Sequence, residues 1–267
     1  MDLGLGGKPC IVTGASRGIG RATARLLAAE GARVLLAARG EDALRDAAEE
    51  CRAADAGADV EWLALDVTAP DAGERLVARC RECFGPPWAV VCNAGTSAVR
   101  PLEELTDEDF AAQWELNAMA PLRLMRAAAP EMAEGGGGRI VNVSSSSGKR
   151  PSATNVAYSV AKSAQLSLSR AFADAYADRG VLVNAVTPGP VETSLWLDEG
   201  GLADQSARAK GGSREDALAA ARAKVPIGRL GTPVEIASVV VFLCSERASD
   251  VTGAAWSVDG GSVPVIL

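Results

Sequence analysis

Histidine is absent from this 267-residue chain. Its absence removes the side chain that most often moves protons near neutral pH and a common ligand for zinc, so any acid–base chemistry must rest on other groups. Aromatic residues are scarce at 4%, and only two of them are tyrosines, Tyr158 and Tyr176; lysines number five. No apolar run approaches the roughly 18–20 residues that span a bilayer, so no membrane partner is expected. Basic clusters are few, and the formal net charge is −7, which argues against nucleic acid as the main partner. The opening Met1-Asp2-Leu3-Gly4 has neither the basic nor the apolar segment of a secretion leader, and the cytoplasm is the expected compartment.

Apolar residues make up 48% of the chain, enough for a well-buried globular core. Cysteines stand at positions 10, 51, 80, 83, 92 and 244. Cys80-x-x-Cys83 invites a metal or redox reading, but it lies inside the amphipathic run Glu74–Phe84 with no second pair and no histidine. Packing of a helix is the better account, and no metal is expected.

Short β-branched runs alternate with longer helical ones. Strands are expected at Pro9–Val12, Arg33–Ala38, Val60–Asp66, Ala89–Asn93, Arg139–Ser144, Val181–Val186 and near Ala255–Val258. Helices are expected at Gly18–Glu30 (stopped by Gly31), near Glu41–Ala54, and at Asp71–Phe84, Asn155–Arg179 and Pro233–Cys244. Another should run from an N-cap at Thr106 to about Met132, before a flexible loop at Gly135–Gly138. Strands joined through helices imply right-handed crossovers and a parallel sheet. The expected fold is therefore α/β: a single Rossmann-type doubly wound domain over residues 1–267, with a parallel sheet of about seven strands and helices on both faces. Ser194 to Val225 breaks the pattern, and Gly200-Gly201 and Gly211-Gly212 punctuate short helical pieces. A long excursion in a compact domain is commonly a functional lid.

Thr13-Gly14-Ala15-Ser16-Arg17-Gly18-Ile19-Gly20 follows the first strand and opens the first helix. Glycines there allow a tight turn and close backbone approach to a pyrophosphate at the helix N-terminus. Gly14, Ser16, Arg17, Gly18, Ile19 and Gly20 are thus candidate nucleotide contacts. The second strand ends in Ala37-Ala38-Arg39, without the carboxylate that would grip a ribose 2′-hydroxyl. Arg17 and Arg39 can instead fork onto a 2′-phosphate, which favours NADP(H). NAD(H) stays open if Asp42 reaches the ribose.

Tyr158 and Lys162 stand at i, i+4 in Tyr158-Ser159-Val160-Ala161-Lys162 and share a helix face. A phenol titrates near about 10, and a nearby ammonium lowers that value. In isolation the pair reads as an exposed aromatic beside a solvated lysine.

The set as a whole resembles the single-domain short-chain dehydrogenase/reductase family, and most closely its 3-oxoacyl-acyl-carrier-protein reductase-like branch. The landmarks are the turn from Thr13 to Gly20, Asp66-Val67, Asn93-Ala94-Gly95, Asn117, Ser145, Tyr158-x-x-x-Lys162, Pro188-Gly189, Val251-Thr252-Gly253 and Val258-Asp259-Gly260-Gly261. The resemblance implies an enzyme that interconverts a carbonyl and an alcohol with a nicotinamide nucleotide. Tyr158 would be its acid and base, Lys162 would lower the phenol pKa and bind the nicotinamide ribose, and Ser145 would orient the reacting oxygen. Asn117 would hold a relay water. Four consecutive serines leave the local choice open, and the family spacing of 13 residues before Tyr158 selects Ser145 over Ser144. Asp66 and Val67 would meet the adenine, and Asn93, Ala94 and Gly95 would pass beneath the dinucleotide. Pro188, Gly189, Val191 and Thr193 would meet the nicotinamide end. Trp196, with Leu195 and Leu197, offers an apolar substrate wall. Hydrophobic ketones, steroid- or polyketide-like carbonyls and 3-oxoacyl thioesters are all open as substrates. The competing reading is a catalytically silent redox sensor. The resemblance also implies a homotetramer, with the Tyr158 helix and the apolar ending Val263-Pro264-Val265-Ile266-Leu267 in its interfaces.

Overall fold

A computed structural model describes residues 2–54 and 57–264. Strands β1 (Pro9–Thr13), β2 (Arg33–Ala38), β3 (Val60–Ala64), β4 (Ala89–Cys92), β5 (Gly138–Val143), β6 (Val181–Pro188) and β7 (Ala255–Val258) form one sheet in the order 3-2-1-4-5-6-7. Every pairing is parallel. β4 and β5 are buried at every position, as strands covered on both faces must be, and β4 accordingly runs apolar rather than alternating, while β5 buries Arg139 and Asn142 among its apolar residues.

The covering helices are α1 (Gly18–Ala29), α2 (Glu41–Ala54), α3 (Ala72–Phe84), α4 (Asp107–Trp114), α5 (Ala120–Glu134), α6 (Ser146–Lys149), α7 (Val156–Tyr176), α8 (Ser194–Leu197), α9 (Leu202–Lys210), α10 (Arg214–Ala223) and α11 (Pro233–Cys244). One core lies where α1, α2 and α11 meet the sheet, around Leu27, Leu36 and Val240. A second lies under α3, α5 and α7, around Leu76, Met125 and Ile140. Strand order reverses between β1 and β4, which opens a crevice at the carboxyl ends of those strands. No helix among the described residues is long and apolar enough to cross a membrane.

Two expectations need correction. Thr106 does cap a helix, in a reciprocal box with Asp109, but the helix does not run unbroken to Met132. It is interrupted by a π turn, Glu115–Met119, in which the Ala120 amide donates to Glu115 O. The cause lies at Asn117: its Nδ2 donates to Gln113 O at 3.1 Å, taking the carbonyl that the α pattern would give to a backbone N–H. Nor is Gly135–Gly138 a loose connection. A Cβ at Gly137 would lie 2.7 Å from Gly180 O, and one at Gly138 would lie 2.8 Å from Met132 Sδ. These glycines allow backbone and helix to close against the start of β5. The excursion at 194–225 is helical, as α8, α9 and α10, and Gly211 ends α9 at φ 70°. Cys80 is buried within α3, and all six cysteines are free. Of the apolar ending, residues 265–267 lie outside the described residues.

Candidate active site

A cleft of about 810 Å³ runs along the carboxyl ends of the strands, within the size range of ligand sites. Among the residues singled out from the sequence, Gly14, Ser16, Arg17, Gly18, Ile19, Arg39, Asp66, Val67, Asn93, Ala94, Gly95, Ser145, Tyr158, Lys162, Pro188, Gly189, Val191, Thr193 and Trp196 line it. Gly20 and Asn117 do not. A Cβ at Gly20 would lie 2.3 Å from Gly14 O and 2.4 Å from Asn93 Nδ2, so this glycine lets α1 close against its own turn. Asn117 sits behind Gly95, where an added Cβ would meet Asn117 Oδ1 at 2.8 Å and Lys162 Nζ at 3.5 Å.

The end of β4 is tied to the glycine turn. Thr13 Oγ1 accepts from the Asn93 and Ala94 amides at 3.0 and 3.1 Å and donates to Val91 O at 3.2 Å. Asn93 Nδ2 donates to Thr13 O at 2.9 Å. The Asn93 side chain is therefore spent on holding two loops together. The N-terminus of α1 has no side-chain cap and no acidic residue in its first turn, so its free N–H groups and positive dipole end suit an anion. Arg17 and Arg39 are both exposed on this side of the cleft, and neither is engaged in an ion pair among the described residues. Asp42 is 93% exposed, paired with Arg45 at 3.2 Å. Asp66 is held below the usual carboxylate range by the Thr68 amide and hydroxyl, with a further pull from Arg39. These features fit an anionic nucleotide at the N-terminus of α1.

The four serines divide their work. Ser144 Oγ donates to Lys162 O at 3.0 Å and anchors α7 to the end of β5. Ser145 caps α6, accepting from the Ser147 amide at 3.1 Å, and its hydroxyl reaches Tyr158. Tyr158 and Lys162 stand on the first two turns of α7. Lys162 is 2% exposed and donates to Val143 O at 2.8 Å and to Gln165 Oε1 at 3.0 Å. Burial pulls its pKa down to about 7.

The Tyr158 phenol does not follow the expected direction. Burial raises its pKa, and only the Ser145 hydroxyl opposes the rise. Lys162 Nζ lies 5.8 Å from the Tyr158 ring centroid, and its hydrogen bonds go to Val143 O and Gln165 Oε1. Asn117 Nδ2 donates to Thr96 O, Gln113 O and Gln113 Oε1, while its buried Oδ1 has no partner.

Sequence reasoning missed several groups. Val143 contributes a backbone carbonyl, which no motif encodes. Gln165 carried one faint signal, its i+3 spacing from Lys162. Ser97, Val99, Ser152, Thr154 and Ser206 also line the cleft, with Leu195 and Trp196; Leu197 is 37% exposed.

A family model described as enoyl-(acyl carrier protein) reductase matches residues 14–262. Cis-4-hydroxycyclohexanecarboxylate dehydrogenase of Sinomonas cyclohexanicum is 38% identical over 258 residues, covering 96% of each chain. A 3-oxoacyl-[acyl-carrier-protein] reductase of Vibrio cholerae is 34% identical over 259 residues, covering 97% of this chain and 98% of the relative. Among solved structures, L-sorbose reductase from Gluconobacter frateurii, complexed with NADPH and L-sorbose, superposes with a TM-score of 0.92 at 35% identity over 100% of both chains. An actinorhodin polyketide ketoreductase variant with NADPH gives 0.90 at 35% identity, covering 97% of this chain and 98% of that one.

Proposed function

Because the chain belongs to the short-chain dehydrogenase/reductase family and is an oxidoreductase, we propose that it interconverts a carbonyl and a secondary alcohol with NADP(H), using Tyr158 as acid and base. The observation that carries this reading is the meeting of Ser145, Tyr158 and Lys162 in one cleft with an uncapped helix N-terminus. When bound, the nicotinamide supplies or accepts the hydride.

Ser145 and Tyr158 together hold the reacting oxygen. In reduction the phenol gives its proton to that oxygen, and in oxidation the phenolate removes it. Lys162 keeps the phenolate accessible by supplying positive charge at short range. Because burial alone raises the phenol and lowers the ammonium, the pair works at neutral pH only where neighbouring groups keep the ammonium charged beside the phenol. Asn117, with an unpartnered oxygen beside Lys162, is suited to pass a proton through a water.

Arg17 and Arg39 take the 2′-phosphate, and the ion pair of Asp42 with Arg45 weighs against Asp42 as a ribose ligand for NAD(H). Asp66 and Val67 flank the adenine. Asn93, Ala94 and Gly95 form the wall beneath the dinucleotide, with Gly14, Ser16, Gly18, Ile19 and Gly20 at its phosphates. Pro188, Gly189, Val191 and Thr193 border the nicotinamide.

The cleft lining combines Val99, Leu116 and Trp196 with Ser97, Ser152 and Ser206. That mixture suits a carbonyl compound bearing polar groups beyond the reacting oxygen, as do the substrates in the names of the relatives. Residues 194–225 act as its lid. The working form is a homotetramer. Replacing Tyr158 with Phe tests the reading: NADPH binding, followed by nucleotide fluorescence, should persist while carbonyl reduction is lost. Undiminished turnover would overturn it.

A further inference from the structure

An ammonium offers three N–H donors, and in Lys162 two of them are committed to the inner wall, at Val143 O and Gln165 Oε1. Gln165 lies one turn further along α7, is 0% exposed, and its Nε2 has no partner. A buried amide donor left unpaired is costly, so the amide is not placed here for its own hydrogen bonds. The opposite amide orientation would aim two N–H donors at a cation. The carbonyl on Lys162 is what fixes this side chain.

We propose that Gln165 is a positioning residue for the reaction, whose side-chain carbonyl holds the Lys162 ammonium charged and in place on the inner wall of the cleft, within reach of Tyr158. The inference rests on the reading of Tyr158 and Lys162 as the acid–base pair. Among the described residues no carboxylate performs this task. The titratable groups facing Lys162 are the Tyr158 phenol on its own helix and the Cys92 thiol at the end of β4, which burial keeps protonated by pushing its pKa up to about 12. Asn117 on the π turn and Val143 on β5 contribute only neutral dipoles. In a site so short of compensating charge, one aligned carbonyl decides how much of Lys162 stays protonated.

The test is the titration of Lys162 itself, read by NMR on protein labelled at the lysine ε-carbon. Five lysines give five signals, and the one missing in Lys162→Met identifies Lys162. Gln165→Leu keeps the bulk and removes the carbonyl; its Lys162 midpoint should fall by about one pH unit. Gln165→Glu restores an acceptor, and its midpoint should rise above wild type. The alkaline limb of NADPH-dependent carbonyl reduction should move in the same direction in each variant. Lys162 midpoints that stay at the wild-type value in both folded variants would overturn the proposal. Midpoints that move while the activity limb stays fixed would instead overturn the catalytic reading of Lys162, and with it the part of Gln165 in the reaction.

Discussion

At the end of β2, Arg39 presents an exposed guanidinium to the cleft, and Arg17 does the same from the glycine turn. A hydrogen bond to a charged group contributes about 1.5–3 kcal/mol, which corresponds to roughly ten- to a hundredfold in binding. Arg39→Ala should therefore raise the KM for NADPH by about tenfold or more and leave the KM for NADH nearly unchanged. Equal effects on both nucleotides, in steady-state kinetics, would remove Arg39 from the 2′-phosphate site. At this scale the sequence was most informative where residue type and spacing carry the chemistry, as for Ser145, Tyr158 and Lys162. It was silent on Val143, which acts through its backbone, and nearly so on Gln165, whose importance depends on being 0% exposed. It did not show that burial raises the Tyr158 phenol, because the spacing to a lysine says nothing of desolvation.

Elements were legible where periodicity is unbroken, which covers the seven strands and most helices. The π turn at Glu115–Met119 escaped because it arises from one side-chain bond competing with the backbone. The short helix α6 escaped because two serines, a glycine and a lysine carry no apolar period. The surface of α4 and α7 leads to a prediction at this scale. Phe110 and Trp114 on α4 and Val160 on α7 are 36–39% exposed, and the two helices pack against each other. On the far side of the sheet Trp256 of β7 is 37% exposed and stacks on Phe242 of α11, with ring centroids 5.7 Å apart. Apolar faces of this kind on two sides suit association with further copies of the chain. Sedimentation should report a tetramer, and Trp114→Glu should reduce it to smaller species. A wild-type monomer would end this reading.

The whole molecule carries an alkaline weakness. Burial pushes Cys51 up to about 11 and Cys80, Cys92 and Cys244 up to about 12, from an ordinary value of 9.0. These folded-state values lie above the unfolded ones, so the stability they represent is complete below pH 9 and drains as pH climbs from there toward 12. Each thiol removes about 1.4 kcal/mol per pH unit in that window, so four together remove roughly 5 kcal/mol by about pH 10. Lys162 has the opposite sign. Its folded pKa of about 7 lies below the ordinary 10.5, so its burden on stability lightens as pH rises from about 7 to about 10.5. One lysine does not balance four thiols, and the urea midpoint should fall clearly between about pH 8.5 and about pH 10. A midpoint that holds or rises would show that these thiols are not shielded as the fold places them.

The account stands on hydride transfer to a carbonyl with Tyr158 as the proton donor. The most direct measurement supplies NADPH deuterated at C4 of the nicotinamide and follows the label into product. The carbonyl panel should include a cyclic keto acid, a ketose and a 3-oxoacyl thioester. The account predicts deuterium on the new carbinol carbon with wild-type protein, and a loss of at least about a hundredfold in rate for Tyr158→Phe with NADPH still bound. Carbinol deuterium formed as fast by Tyr158→Phe as by wild type would contradict it.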